Sequence, residues 1–253
     1  MTVEQIIEAV RFCIDEEDSN PSSLANVTVL GSDNVLMDNI IKSKIGDALR
    51  WICLYAPADM LGGTDEPDTT EQGQTVHHPT GIITDVPSVT PTAIAYGSGS
   101  TNGGRIDMPS DFIRLVRVRT QDWHRAVAKP IAEDSEEYLQ LYDENGATAT
   151  MDRPVAAIIE GETRKLEVWP AKAGSTMLTF SYSYVAAIGD NSFDVTVTPS
   201  GGEQYTETHY PLPPKARTAF IYYLAFLLLC AYGDGRADRM LAIAKMNLGL
   251  IEK

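Results

Sequence analysis

Four histidines, three cysteines and a set of carboxylates are the side chains here most able to do chemistry, and their spacing decides whether they do any. A nucleophilic or acid–base site needs a nucleophile, a base and a stabilising group in one another's company. His77, His78, His124 and His209 fall mostly in loop-like sequence with no partner motif. Adjacent histidines point apart in an extended chain, so His77-His78 reads as a loop pair and not as metal ligands. Cys13, Cys53 and Cys230 are odd in number, lack CxxC spacing and sit within apolar helical patterns. They read as three buried thiols in a reducing compartment, without a zinc site or a disulfide framework.

The acidic clusters are equally bland. Glu133, Asp134, Glu136 and Glu137 stand where the first turn of a helix is expected, and there negative charge favours the helix dipole instead of forming a glycosidase pair. Asp234-Gly-Arg-Ala-Asp238 lacks the regular acidic positions and the closing Glu of a calcium loop, and reads as a turn between helices. The Gly-rich pieces Gly97–Gly104 and Gly201–Gly202 do not lead from a strand into a helix bearing Lys-Ser or Lys-Thr, so no phosphate-binding loop is expected. The sequence therefore predicts no catalytic residue, no cofactor site and no metal site. The one basic concentration is Arg114, Arg117, Arg119 and Arg125. In a strand, Arg117 and Arg119 share a face and present forked donors to a carboxylate-rich surface, which makes these four the candidate subunit contacts.

Charge narrows the partners. The chain has 253 residues, with 20 basic against 35 acidic, for a net charge of -15. That balance repels phosphate and limits any DNA contact to a transient one. Residues 61–104 contribute five acidic side chains and no basic one. Apolar residues at 43% and charged residues at 22% are ordinary for a folded chain. The opening Met-Thr-Val-Glu lacks the basic region and apolar core of a signal peptide, so assembly in the cytoplasm is expected.

These residues need elements to hold them. Val3, Ile6, Ile7, Val10, Cys13 and Ile14 recur at helical spacing, and a second helix is expected from Met37 to Tyr55. Residues 61–104 turn to Gly, Thr, Pro and Ser with no helical period and only short strand possibilities near Ile82–Ile83 and Ala93–Tyr96, and read as a long loop or arm. Ile106–Arg119 begins with a turn at Pro109–Asp111 and continues as a strand from Phe112, and with Val155–Ile159, Lys165–Trp169 and Met177–Tyr184 it is expected to form one small antiparallel sheet. A short helix is expected over Ala132–Tyr142, and the alternation from Phe193 predicts a protruding hairpin within 190–211.

Ala219 to Tyr232 is a run of fourteen residues apolar on every side, predicting a helix buried all round. Its span of about 21 Å falls short of the roughly 20 residues a bilayer requires, so a core or interface helix is preferred and no membrane partner is expected. A last amphipathic helix covers Ala237–Leu250. The predicted fold is α+β: a helical bundle from 1–60 and 212–253, an extended arm over 61–104, and an inserted antiparallel β lobe over 105–211.

Several strings carry a resemblance. Met108-Pro-Ser-Asp-Phe-Ile-Arg-Leu-Val-Arg-Val-Arg and Trp123-His-Arg-Ala-Val are followed by Trp169-Pro-Ala, Phe180-Ser-Tyr-Ser-Tyr and Leu212-Pro-Pro-Lys-Ala. Tyr222-Tyr-Leu-Ala and Gly233-Asp-Gly-Arg-Ala-Asp complete the set. Across roughly residues 40–60 and 105–253 the chain resembles head-to-tail connector proteins, adaptor or ring subunits, of crAss-like and related gut phages. The resemblance implies a helical bundle with an inserted β element and about twelve copies in a homo-oligomeric ring under the portal. It also implies contact with portal, tail and ring proteins in the virion and a channel for DNA ejection. The long acidic segment at 61–104 departs from a minimal adaptor. A glycan-binding or adhesion module is the alternative, drawn from Trp123, Trp169, Tyr182 and Tyr184 on the strands, and a hydrolase ranks third.

Overall fold

The computed structural model describes residues 1–15, 33–61, 69–71, 74–76, 83–85, 89–94, 103–142, 149–171, 176–184, 193–197, 205–210 and 212–250. In chain order the elements begin with α1 (Val3–Asp15), α2 (Asp33–Tyr55), α3 (Ala58–Leu61), β1 (Thr69–Glu71), β2 (Gln74–Val76), β3 (Ile83–Asp85) and β4 (Thr92–Ile94). They continue with β5 (Gly103–Asp107), β6 (Phe112–Thr120), β7 (Ile131–Ala132), α4 (Glu136–Leu141), β8 (Val155–Ile159), β9 (Lys165–Trp169) and β10 (Met177–Tyr184). The last are β11 (Phe193–Val197), β12 (Tyr205–His209), α5 (Arg217–Tyr232) and α6 (Ala237–Asn247). The fold is α+β, and the chain divides into two compact units: Met1–Ile82 with Val185–Lys253, and Ile83–Tyr184.

The first unit is helical at its centre. Thr2 and Gln5 form a capping box for α1: Thr2 N–H donates to Gln5 Oε1 at 3.0 Å, and Gln5 N–H to Thr2 Oγ1 at 3.1 Å. The expected stripe then buries Ile6, Ile7 and Val10, while Ile41, Ile45, Leu49 and Ile52 of α2 do the same. Both helices pack on α5. Trp51 of α2 stacks on Tyr223 of α5 with centroids 4.1 Å apart and planes 6° from parallel. After α5, Gly233 adopts φ 67, and its N–H and that of Asp234 return to the Cys230 and Leu229 carbonyls. That left-handed cap is the conformation glycine tolerates best. The Asp234 carboxyl, gripped by the Arg236 side chain and its backbone N–H, is held down at about 2. Arg236 also donates to the Ile14 carbonyl at 3.3 Å, capping the C-terminal end of α1.

The second unit holds two sheets. One is three-stranded in the order β3-β10-β6; the other is five-stranded in the order β4-β5-β9-β8-β7, antiparallel except for β7 beside β8. Alternation puts Ile106, Ala156, Leu166 and Val168 on one face of the larger sheet, where they meet Phe112, Leu115, Val118, Phe180 and Tyr182 of the smaller. On the opposite face Trp169 packs with Leu141 and Ala149, under α4. Gly103 permits this, since a Cβ there would lie 2.5 Å from the Trp169 ring.

Five expectations need correction. The four strands do not form one sheet: β6 pairs with β10, whereas β8 and β9 pair in the other layer. The segment 61–104 is not an arm throughout, because β3 and β4 close the edges of the two sheets and Gly103–Gly104 open β5. Strand possibilities near both are legible in the sequence, but three residues are too few to show that they pair into a sheet. The compact unit spans 83–184 instead of 105–211, and the β11–β12 hairpin, paired in register from Phe193↔His209 to Val197↔Tyr205, groups with the terminal helices. The expected helix over Ala132–Tyr142 starts late, since Ala132 belongs to β7 and Ser135 caps α4 by accepting from Tyr138 N–H at 3.2 Å. Finally, Cys53 is buried, but Cys13 is intermediate and Cys230 exposed.

Candidate interaction surfaces

The four arginines of the sequence reading lie on β6 and the turn after it. Arg117, Arg119 and Arg125 are exposed, and Arg114 is half-buried. Strict alternation would put Arg114 on the face opposite Arg117 and Arg119. A register shift between Arg117 and Leu115 cancels that, and a second one lies between Arg114 and Phe112. Between Ser181 and Tyr182, and again between Ser183 and Tyr184, β6 advances two residues while β10 advances one. The core positions of β6 therefore recur as Phe112, Leu115 and Val118, three apart. Arg114, Arg117 and Arg119 pair with Ser183, Ser181 and Thr179, alternate positions of β10, while Phe180 and Tyr182 between them face the core. All three arginines thus occupy one outer face. Arg119 Nε donates to the Trp123 carbonyl at 3.1 Å, which fixes the end of the row. Arg125 lies beyond the strand, in the turn that returns Val127 to bridge Val118.

In the helical unit, α5 corrects the expectation of all-round burial. Ala219, Phe220, Ile221, Leu224, Ala225, Leu228 and Leu229 are buried. Tyr222, Tyr223, Phe226 and Leu227 are intermediate, and Cys230, Ala231 and Tyr232 are exposed. One side of a helix that is apolar from Ala219 to Tyr232 is therefore left partly uncovered. Of the eight large hydrophobic side chains exposed among the described residues, all but Leu139 belong to this unit: Phe12, Leu36, Leu54, Tyr55, Tyr232, Met246 and Leu250. Pro214–Tyr232 has the length and hydropathy of a membrane span, but its buried side packs on α1, α2 and α6.

The polar centre of the second unit was not foreseen. Glu167 is fully buried on β9, between Leu166 and Val168. Arg105 Nε donates to its Oε1 at 2.9 Å, and Arg105 Nη2 pairs with the same oxygen. Its Oε2 accepts from Tyr138 at 3.0 Å, Tyr142 at 2.8 Å and Trp169 Nε1 at 3.4 Å. Burial, reinforced by the neighbouring carboxylate, pushes the Tyr138 and Tyr142 hydroxyls above the ordinary phenol range. The Arg105 guanidinium is pushed up by its hydrogen bond to Glu167. Every oxygen of the carboxylate is occupied by a donor, so it has little capacity to move a proton or hold a cation, and its structural work is to fasten α4 to the sheet. A lone acid inside the apolar Lys165–Trp169 strand was the available signal. Arg105 also lines an open groove of about 510 Å³ with Thr92, Ile94, Asp107 and Lys165.

Among the described residues no cluster of His, Cys, Asp and Glu is arranged to hold a metal ion. His124 pairs with Asp152 at 2.5 Å on an exposed turn. Trp123, Trp169 and Tyr182, the rings behind the adhesion alternative, are 1%, 1% and 5% exposed and offer no open stacking face. The side chain of Tyr184 lies outside the described residues. No protein-family model and no curated protein sequence matches the chain.

Proposed function

We propose that this chain is a structural, non-enzymatic subunit of a phage head-to-tail connector, assembling as a homo-oligomeric ring of about twelve copies beneath the portal. The observation that carries the reading is α5, a helix without a polar face whose uncovered side has no use in a lone chain. The sequence resemblance supplies the class of assembly, and the uncovered apolar side supplies a reason to assemble. The ring joins capsid to tail in the virion and is built in the bacterial cytoplasm, with portal and neighbouring tail proteins as partners. A surface as acidic as this one repels passing DNA and keeps its contact with the channel transient.

Light scattering across a concentration series, followed by negative-stain imaging, tests the proposal. Closed rings support it. A chain that stays monomeric alone and in the presence of a portal ring rejects it.

A further inference from the structure

The smaller sheet of the second unit ends on β6, and a nine-residue edge strand invites another strand to pair with it. Among the described residues its outer edge carries one bridge, Val118 with Val127 at the far end. The helical unit holds the complementary defect. β1 and β2 pair from Thr69↔Val76 to Glu71↔Gln74 with no third strand among the described residues, and a two-stranded hairpin alone is marginal in water.

Charge selects between possible partners for the β6 edge. Two copies of β6 meeting about a twofold axis would set arginine rows against each other, and like charges across paired strands are destabilising. The stretch between Arg50 and Arg105 has no Lys or Arg and carries Asp59, Asp65, Glu66, Asp68, Glu71 and Asp85. The β1–β2 hairpin drawn from it carries one acid, Glu71, and no base, so it meets the arginine row with opposite sign.

We infer that the β6 edge takes up the β1–β2 hairpin of a second copy of this chain. The contact joins unlike surfaces, so it can pass from copy to copy and close as a ring where the rotation between neighbours allows. This inference rests on the ring reading and gives that ring one of its contacts.

A photoreactive benzoylphenylalanine in place of Ile113, in the full chain, tests the pairing. An equal mixture of 14N- and 15N-labelled copies is irradiated and the adducts are mapped by mass spectrometry. The expected adducts join Ile113 of one copy to Thr69–Val76 of another and carry mixed labels. In parallel, Arg117→Glu with Arg119→Glu weakens assembly about tenfold, and adding Glu71→Arg recovers most of the loss, best at low salt. Circular dichroism establishes that each variant is folded. Rings whose adducts map to another segment, or within one chain, overturn the inference and leave the ring reading standing. Failure of Glu71→Arg to recover assembly also overturns it. A wild-type chain that forms no ring rejects both.

Discussion

The two units treat chemically awkward side chains in opposite ways. The β unit takes a full negative charge into its interior and surrounds Glu167 with Arg105, two phenols and an indole N–H. The helical unit leaves aromatic and aliphatic side chains in water, from Phe12 on α1 to Tyr232 on α5. The expensive choice is made in the layer that can satisfy it, since a buried carboxylate is tolerable only when donors replace its water. The apolar side of α5 has no such internal remedy, because the described residues of its unit, Trp51 on Tyr223 among them, cover it only in part. One unit satisfies its awkward group internally, and the other leaves its apolar groups exposed.

Removing a member of the buried cluster gives the largest expected effect. Arg105→Met leaves Glu167 interred with neutral donors alone and should cost about 3–5 kcal/mol by urea denaturation. Glu167→Gln should cost only about 1–2 kcal/mol, because Arg105 is partly exposed and can recover water. Equal losses in the two variants would show that the cluster is wetter than its burial implies.

Next comes packing beneath the cluster. Gly103→Ala drives a methyl into the Trp169 ring and should destabilise by about 1–3 kcal/mol, read from the near-ultraviolet tryptophan signal on heating. On the other unit, Leu227→Glu on the half-covered side of α5 should change folding stability by about 1 kcal/mol or less while abolishing larger species in light scattering. A variant that still assembles would move the interface elsewhere.

The smallest effect is a pH slope. Unfolded phenols ionise near about 10, whereas folded Tyr138 and Tyr142 hold their protons to higher pH. Above that point the folded state binds more protons than the unfolded one, so stability is fully present below about pH 10 and declines as pH rises beyond it. Thermal melts between neutral and alkaline pH should show the decline in wild type and a shallower one in Tyr138→Phe with Tyr142→Phe. An unchanged slope would assign the alkaline sensitivity to other groups.

Deleting residues 62–103 would look like a clean test of an arm if the sequence alone were consulted. The structure makes it a deletion of β1 to β4 and Gly103, with damage to both sheets of the β unit. The misreading has a definite origin. Long strands such as β8, β9 and β10 announce themselves by their own residues, whereas a three-residue strand is defined by the neighbour it pairs with.

What the sequence determined by itself was the periodic part: the stripes of α1, α2 and α6, the apolar α5, the ranges of β8 to β10, and the excess of acid. Those features are local, since helical and strand spacings are written in neighbouring residues. Tertiary structure alone decided how strands divided between layers, which side of α5 stayed uncovered, and where Glu167 found its donors on β5 and α4. It also decided that Arg114 joins Arg117 and Arg119, because the shift that realigns them comes from pairing with β10. Partners distant in sequence meet only when the chain closes, and no local pattern encodes the register at which they meet.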